Sequence, residues 1–192
     1  MGIIISGIQQ MGIGVPNVEE IWKFYRTNFG INVKVFEDEA EAPLMTRYTG
    51  GVVQNRTATL ALSLEGGGGM EIWQYKSRNT EKANFAIHLG DLGLYSCRIK
   101  SKNVAQSYEF HKKNGVKILG ELGTTPAGKQ HYFVEDPNGN IFDICDSQDW
   151  FANTKFPGAT GGVGGSMIGV SDMDKSIQFY KEILEYDTVE YD

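Results

Sequence analysis

The chain is expected to adopt an α+β fold built from repeated βαβββ modules, and three observations predict it. Ile13-Gly14-Val15-Pro16-Asn17-Val18 leading to Phe24-Tyr25 returns as Ile168-Gly169-Val170-Ser171-Asp172-Met173 leading to Phe179-Tyr180. Each copy reads as a strand, an Asn or Asp in the N-cap position, and an amphipathic helix with an aromatic pair. Third, segments of period-two alternation follow the first helix and precede the last, as strands of a half-buried sheet require. A repeated supersecondary unit buries one face against a neighbour, so function is sought where modules meet.

The first module spans 1–78, with a strand at about 8–15. Its helix runs from about 17 to 29, capped by Asn17, with Glu19 and Glu20 in the electropositive first turn. Val18, Ile21, Trp22, Tyr25 and Phe29 share one helical face, and Gly30 ends the helix. Strands follow at 31–37, 57–64 and 70–76, with a loop around Pro43. Gly66 to Gly69 is read as a hairpin turn; no helix follows it to supply the dipole of a phosphate cradle.

The second module spans 79–146 and opens with a linker. Leu94 to Lys100 is a strand, Asn103 caps a helix carrying Val104, Tyr108 and His111, and Asn114-Gly115 stops it. Val116 to Leu119 and His131 to Glu135 are strands, Asp136-Pro137-Asn138-Gly139 is a turn set by Pro and Asn-Gly, and Ile141 to Cys145 closes the module. Residues 147–164 read as a strap with Trp150, Phe151 and Phe156 in glycine-rich surroundings. Residues 165–192 begin a third module of one strand and one helix, whose edge calls for further modules or another molecule.

With 41% hydrophobic residues in 192, the chain has ample material for a core. Its net charge of −6, with no run of Lys or Arg, argues against a nucleic-acid partner and for a small or cationic ligand. No segment approaches the about 18 apolar residues of a membrane span, and Met1-Gly2-Ile3-Ile4-Ile5-Ser6 lacks a basic leader region. Cys97 and Cys145 lie in strand-like apolar surroundings, the simplest setting being a reducing cytoplasm.

The strand-Asn-helix-Phe-Tyr element, Met70-Glu71-Ile72, and Glu135-Asp136-Pro137-Asn138-Gly139-Asn140 before Phe142-Asp143-Ile144 resemble the vicinal oxygen chelate superfamily of glyoxalases, bleomycin-resistance proteins and extradiol dioxygenases. The resemblance implies paired modules forming a curved eight-stranded cleft, with a divalent metal held by first- and last-strand residues. It places metal ligands at Gln10, Glu71 and Asp143, with Glu71 or Asp143 as catalytic base. The remaining first-strand position falls on Leu94, or on Ser96 when the helix is the anchor, and on Gly165 in the third unit. None of these three is a good ligand.

An oxygen-rich set suits Mg²⁺ or Mn²⁺ better than Zn²⁺; Ni²⁺ is a further candidate ion. By alternation Trp73 and Tyr75 share the face of Glu71 and line the substrate pocket, with Ser96 and His131 as further contacts. His88, in a linker, and His111, on a helix, are read as solvated or structural. Extradiol cleavage is disfavoured because its iron site needs two histidines and a carboxylate.

Two functions follow from the resemblance. One is a metal-dependent, glyoxalase-like lyase or isomerase acting on a small carbonyl compound through an enediolate; the other is metal-free small-molecule binding of the bleomycin-resistance type. It also implies a homodimer or the further modules of a longer chain.

Overall fold

The structure is a computed structural model that describes residues 5, 7–152 and 159–191. Phe156 and the residues 1–4 and 6 of the opening segment lie outside the described residues. The described residues form two βαβββ modules followed by one further strand and helix. The first comprises β1 (Gln10–Gly14), α1 (Val18–Asn28), β2 (Val33–Glu41), β3 (Asn55–Leu62) and β4 (Gly69–Tyr75). Where a loop around Pro43 was expected, a 3₁₀ turn covers Pro43–Tyr48, with the proline in its first turn. The second comprises β5 (Gly93–Ser101), α2 (Val104–Lys113), β6 (Lys117–Thr124), β7 (Gln130–Glu135) and β8 (Ile141–Asp146). β9 (Thr160–Gly169) and α3 (Met173–Leu184) follow.

The three α-helices among the described residues start alike. Asn17 Oδ1 accepts from the Glu20 amide at 3.2 Å, Asn103 Oδ1 from Gln106 at 3.0 Å, and Asp172 Oδ1 from Lys175 at 3.0 Å. Each cap satisfies an orphan amide of the first turn.

The strands bond as two sheets, ordered β1-β4-β3-β2 and β6-β7-β8-β5-β9. β1 runs parallel to β4 with Gly12 opposite Glu71; β5 runs parallel to β8 with Arg98 opposite Asp143. The outer neighbour of β5 is β9, antiparallel to it, so the eight strands of the two modules are divided between the sheets and the third unit supplies the ninth. β9 begins at Thr160, inside the stretch read as strap. Its small residues allow this, because the two modules press against it. A Cβ on Gly66 would lie 2.0 Å from the Gly161 carbonyl oxygen. Gly30, at φ +64°, would place its Cβ 2.4 Å from the Thr160 oxygen.

One hydrophobic core joins the modules. Phe29 at the end of α1 meets Phe142 of β8 with ring centroids 4.8 Å apart, and Tyr25 meets Phe142 at 5.5 Å. The Tyr25 hydroxyl donates to Asp136 Oδ2 at 2.7 Å, while Asp136 Oδ1 accepts from the amides of Asn138 and Asn140. The Asp-Pro-Asn-Gly-Asn turn is therefore a structural clamp on the first helix. Burial, reinforced by Asp136, pushes the Tyr25 phenol well above its usual range.

His111 stands on α2 where Tyr25 stands on α1, eight residues after the cap in both. It is fully buried, with Nε2 2.7 Å from the Asn28 carbonyl and Nδ1 2.8 Å from the Tyr132 hydroxyl. Its role is structural, and burial pushes its pKa below the ordinary imidazole range near 6.5. The unfolded chain therefore binds a proton at His111 more readily than the folded one. Stability contributed by the neutral ring is complete above about pH 6.5 and declines as pH falls below it. Melting temperature should fall between pH 7 and 5 in the parent protein and fall less in His111→Gln; parallel pH profiles would contradict this.

Candidate functional site

Alternation divides each sheet into a face under its helix and a face turned away. Met70 and Ile72 of β4 join the core, which turns Glu71, Trp73 and Tyr75 to the opposite face. On β1 the same alternation sends Met11 and Ile13 towards the core and Gln10, Gly12 and Gly14 outward. The Gln10 amide nitrogen donates to Glu71 Oε2, and Trp73 Nε1 donates to Glu71 Oε1 at 2.8 Å. Tyr75 extends the aromatic wall, its ring 6.5 Å from Trp73. Arg56 of β3 lies 5.1 Å over Trp73 and is anchored by Asp38 Oδ1 at 2.5 Å. Gln10, Glu71, Trp73 and Tyr75 thus form one continuous patch.

Asp143 lies in the second sheet with different partners. It is fully buried, Arg98 Nε donates to its Oδ2 at 2.9 Å, and His131 Nδ1 is 2.9 Å from its Oδ1. Burial alone would depress the Arg98 pKa; the charge and hydrogen bond of Asp143, together with Cys145 and Glu190, outweigh it and raise the guanidinium further. Both Asp143 oxygens are engaged, one by a permanent cation.

The strand registers decide between the two readings of the second module's first-strand position. Gln10 opposes Gly69 as Ser96 opposes Ile141, and Gly12 opposes Glu71 as Arg98 opposes Asp143. Ser96 is therefore the counterpart of Gln10, and Leu94 is an exposed residue. Sequence reasoning missed Arg98. The signal was available, because Arg98 is two residues beyond Ser96 and so on the same strand face as it.

Ser96 is buried and its Oγ has no hydrogen-bond partner among the described residues. An apolar crevice between the modules, lined by Met11, Met70, Tyr95, Cys97 and Ser96 among others, includes neither Glu71 nor Asp143. The thiols of Cys97 and Cys145 are buried and unpaired, and burial pushes that of Cys97 up to about 12, so it is a poor nucleophile. His88 is exposed, as its linker position suggested.

Among the described residues no three His, Cys, Asp or Glu side chains cluster to hold a metal ion. The donor chemistry differs between the modules. Gln10 and Glu71 offer oxygens on an accessible sheet face, a fit to part of an octahedral oxygen set. Asp143 under a guanidinium does not fit a second cation, and Gly165 has no side-chain donor.

The model of the Glyoxalase/Bleomycin resistance protein/Dioxygenase superfamily matches residues 7–144, and the chain belongs to that superfamily. Comparison with curated protein sequences gives no match. Among solved structures, a glyoxalase family protein from Bacillus cereus is similar at 12% identity and a TM-score of 0.59, over 75% of this chain and 95% of that one. Glyoxalase I from Zea mays is similar at 19% identity and a TM-score of 0.58, over 93% of this chain. The chain spans about half the length of that plant protein, covering 54% of it. At these identities the likeness establishes the shared fold. No helix among the described residues is long and apolar enough to cross a membrane.

Proposed function

We propose that this chain is a glyoxalase-like protein in which Gln10 and Glu71 form half of a divalent-metal site serving a lyase or isomerase reaction on a small carbonyl compound. The observation that carries the reading is the bonded Gln10–Glu71 pair on the open face of the first sheet. A bound Mg²⁺ or Mn²⁺ would supply Lewis-acid polarisation of the substrate oxygens. Glu71 is the base: its carboxylate takes the proton beside the carbonyl, and Trp73 Nε1 holds it in place for that transfer. Trp73 and Tyr75 exclude water on one side and orient a planar substrate. The remaining ligands come from another module facing β1, whether in a second copy or in a longer chain. Asp143, committed to Arg98, is a framework residue in this reading rather than a ligand or base. The two buried thiols fit a reducing cytoplasm.

The test is titration of chelator-stripped protein with Mn²⁺, followed by electron paramagnetic resonance. Saturable binding is expected, weakened at least about tenfold in Glu71→Ala and retained in His131→Gln. Equal binding by Glu71→Ala and the parent would remove the reading.

A metal-free reading draws on the aromatic wall beside a carboxylate, which suits an aromatic or cationic ligand. It predicts no Mn²⁺ binding and a Trp73-dependent fluorescence change with such ligands.

A further inference from the structure

The carboxylate of Glu190, beyond α3, reaches back onto the second sheet. Its Oε1 accepts from Lys129 Nζ, and its Oε2 lies 3.8 Å from Arg98 Nη1. Glu190 is held well enough by Lys129 that its pKa falls below the ordinary glutamate range. Yet its side chain is 45% exposed, whereas Asp143 beneath the same guanidinium is 0% exposed. One carboxylate is built into the floor; the other rests on top.

Charge explains the arrangement. Arg98 and Lys129 carry two positive charges and Asp143 one negative, so the floor alone is left with one uncompensated positive charge. Arg98 spends Nε on Asp143 and turns Nη1 outward, the geometry in which a guanidinium recognises a second carboxylate. On β9 the cross-strand neighbour of Arg98 is Gly165, which adds no side chain beside the guanidinium.

We propose that Arg98 and Lys129, set over Asp143 and His131, form a binding site for the carboxylate of a small molecule, and that Glu190 is its intramolecular occupant. The site is separate from Gln10 and Glu71 and does not depend on a metal ion there. A free carboxylate must displace Glu190, so the segment after α3 sets the apparent affinity through the fraction of time it vacates the site.

The experiment uses the full, chelator-stripped chain labelled with ¹⁵N, titrated with sodium acetate or benzoate at constant ionic strength, reading the Arg98 Nε–H and His131 ring signals. Glu190→Gln should bind acetate at least about fivefold more tightly than the parent, because the competitor has lost its charge. In the Glu190→Gln background, Lys129→Gln and Arg98→Lys should each weaken binding several-fold. Arg98→Lys retains a cation for Asp143, and Lys129→Gln leaves the buried pair untouched, so folding is preserved in at least one of them. Equal acetate affinity in the parent and Glu190→Gln, indifference to both cation changes, or identical shifts with chloride would each overturn the proposal.

Discussion

Arg98→Met is expected to destabilise the fold by about 3–5 kcal/mol, the cost of leaving a buried carboxylate without its cation. Asp143 is fully buried and its Oδ2 loses its 2.9 Å partner, so the charge can neither reach water nor find a second guanidinium. His131 Nδ1 remains 2.9 Å from Oδ1 but does not replace the guanidinium lost from Oδ2. Removing both charges should behave differently. Arg98→Met combined with Asp143→Leu replaces the pair by apolar groups and should recover most of the loss, as buried ion pairs commonly allow. Urea denaturation of the two variants checks this. A loss below about 1 kcal/mol in the single variant would mean that Asp143 is not confined as described.

Phe142→Ala should cost about 3–5 kcal/mol, the range for deleting a fully buried aromatic ring whose cavity cannot close. Phe142 is on β8 of the second module but packs on Tyr25 and Phe29 of the first, at 5.5 and 4.8 Å. The loss should therefore appear in the first module as well. Trp22 and Trp73 both lie there, so intrinsic fluorescence reports mainly on that half. A lowered midpoint in the fluorescence transition is the expected result. An unchanged midpoint alongside a lowered circular-dichroism transition would show modules unfolding independently.

The readable parts of this chain are those whose physics is local. Asn17, Asn103 and Asp172 announce three helix starts because a side-chain cap acts within three residues. Glu71, Trp73 and Tyr75 fall on one face because strand alternation has no long-range input. The ends of strands and the start of β9 were less legible, since a glycine-rich stretch such as 160–165 carries little strand propensity and is ordered by its neighbours. Which sheet edge receives which strand is also a long-range matter: the choice of β9 for β5 rests on packing at Gly30 and Gly66, far away in sequence.

The candidate site shows the same division. Gln10 and Glu71 were identifiable individually, and their meeting follows from a parallel register. Asp143 was identifiable as well, but its commitment to Arg98, 45 residues away, changes what it can do. A carboxylate that looks like a ligand in sequence becomes a framework anion once a permanent cation occupies its lone pairs.

In the proposed function the oxygen donors for a cation reside on the first sheet, while the carboxylate of the second is already bonded to Arg98. Anomalous diffraction from crystals soaked in Mn²⁺ distinguishes the two sheets. A peak within bonding distance of Gln10 and Glu71 and none at Asp143, with Arg98 still on its carboxylate, is the expected result. A manganese peak at Asp143, with Arg98 displaced, would contradict it.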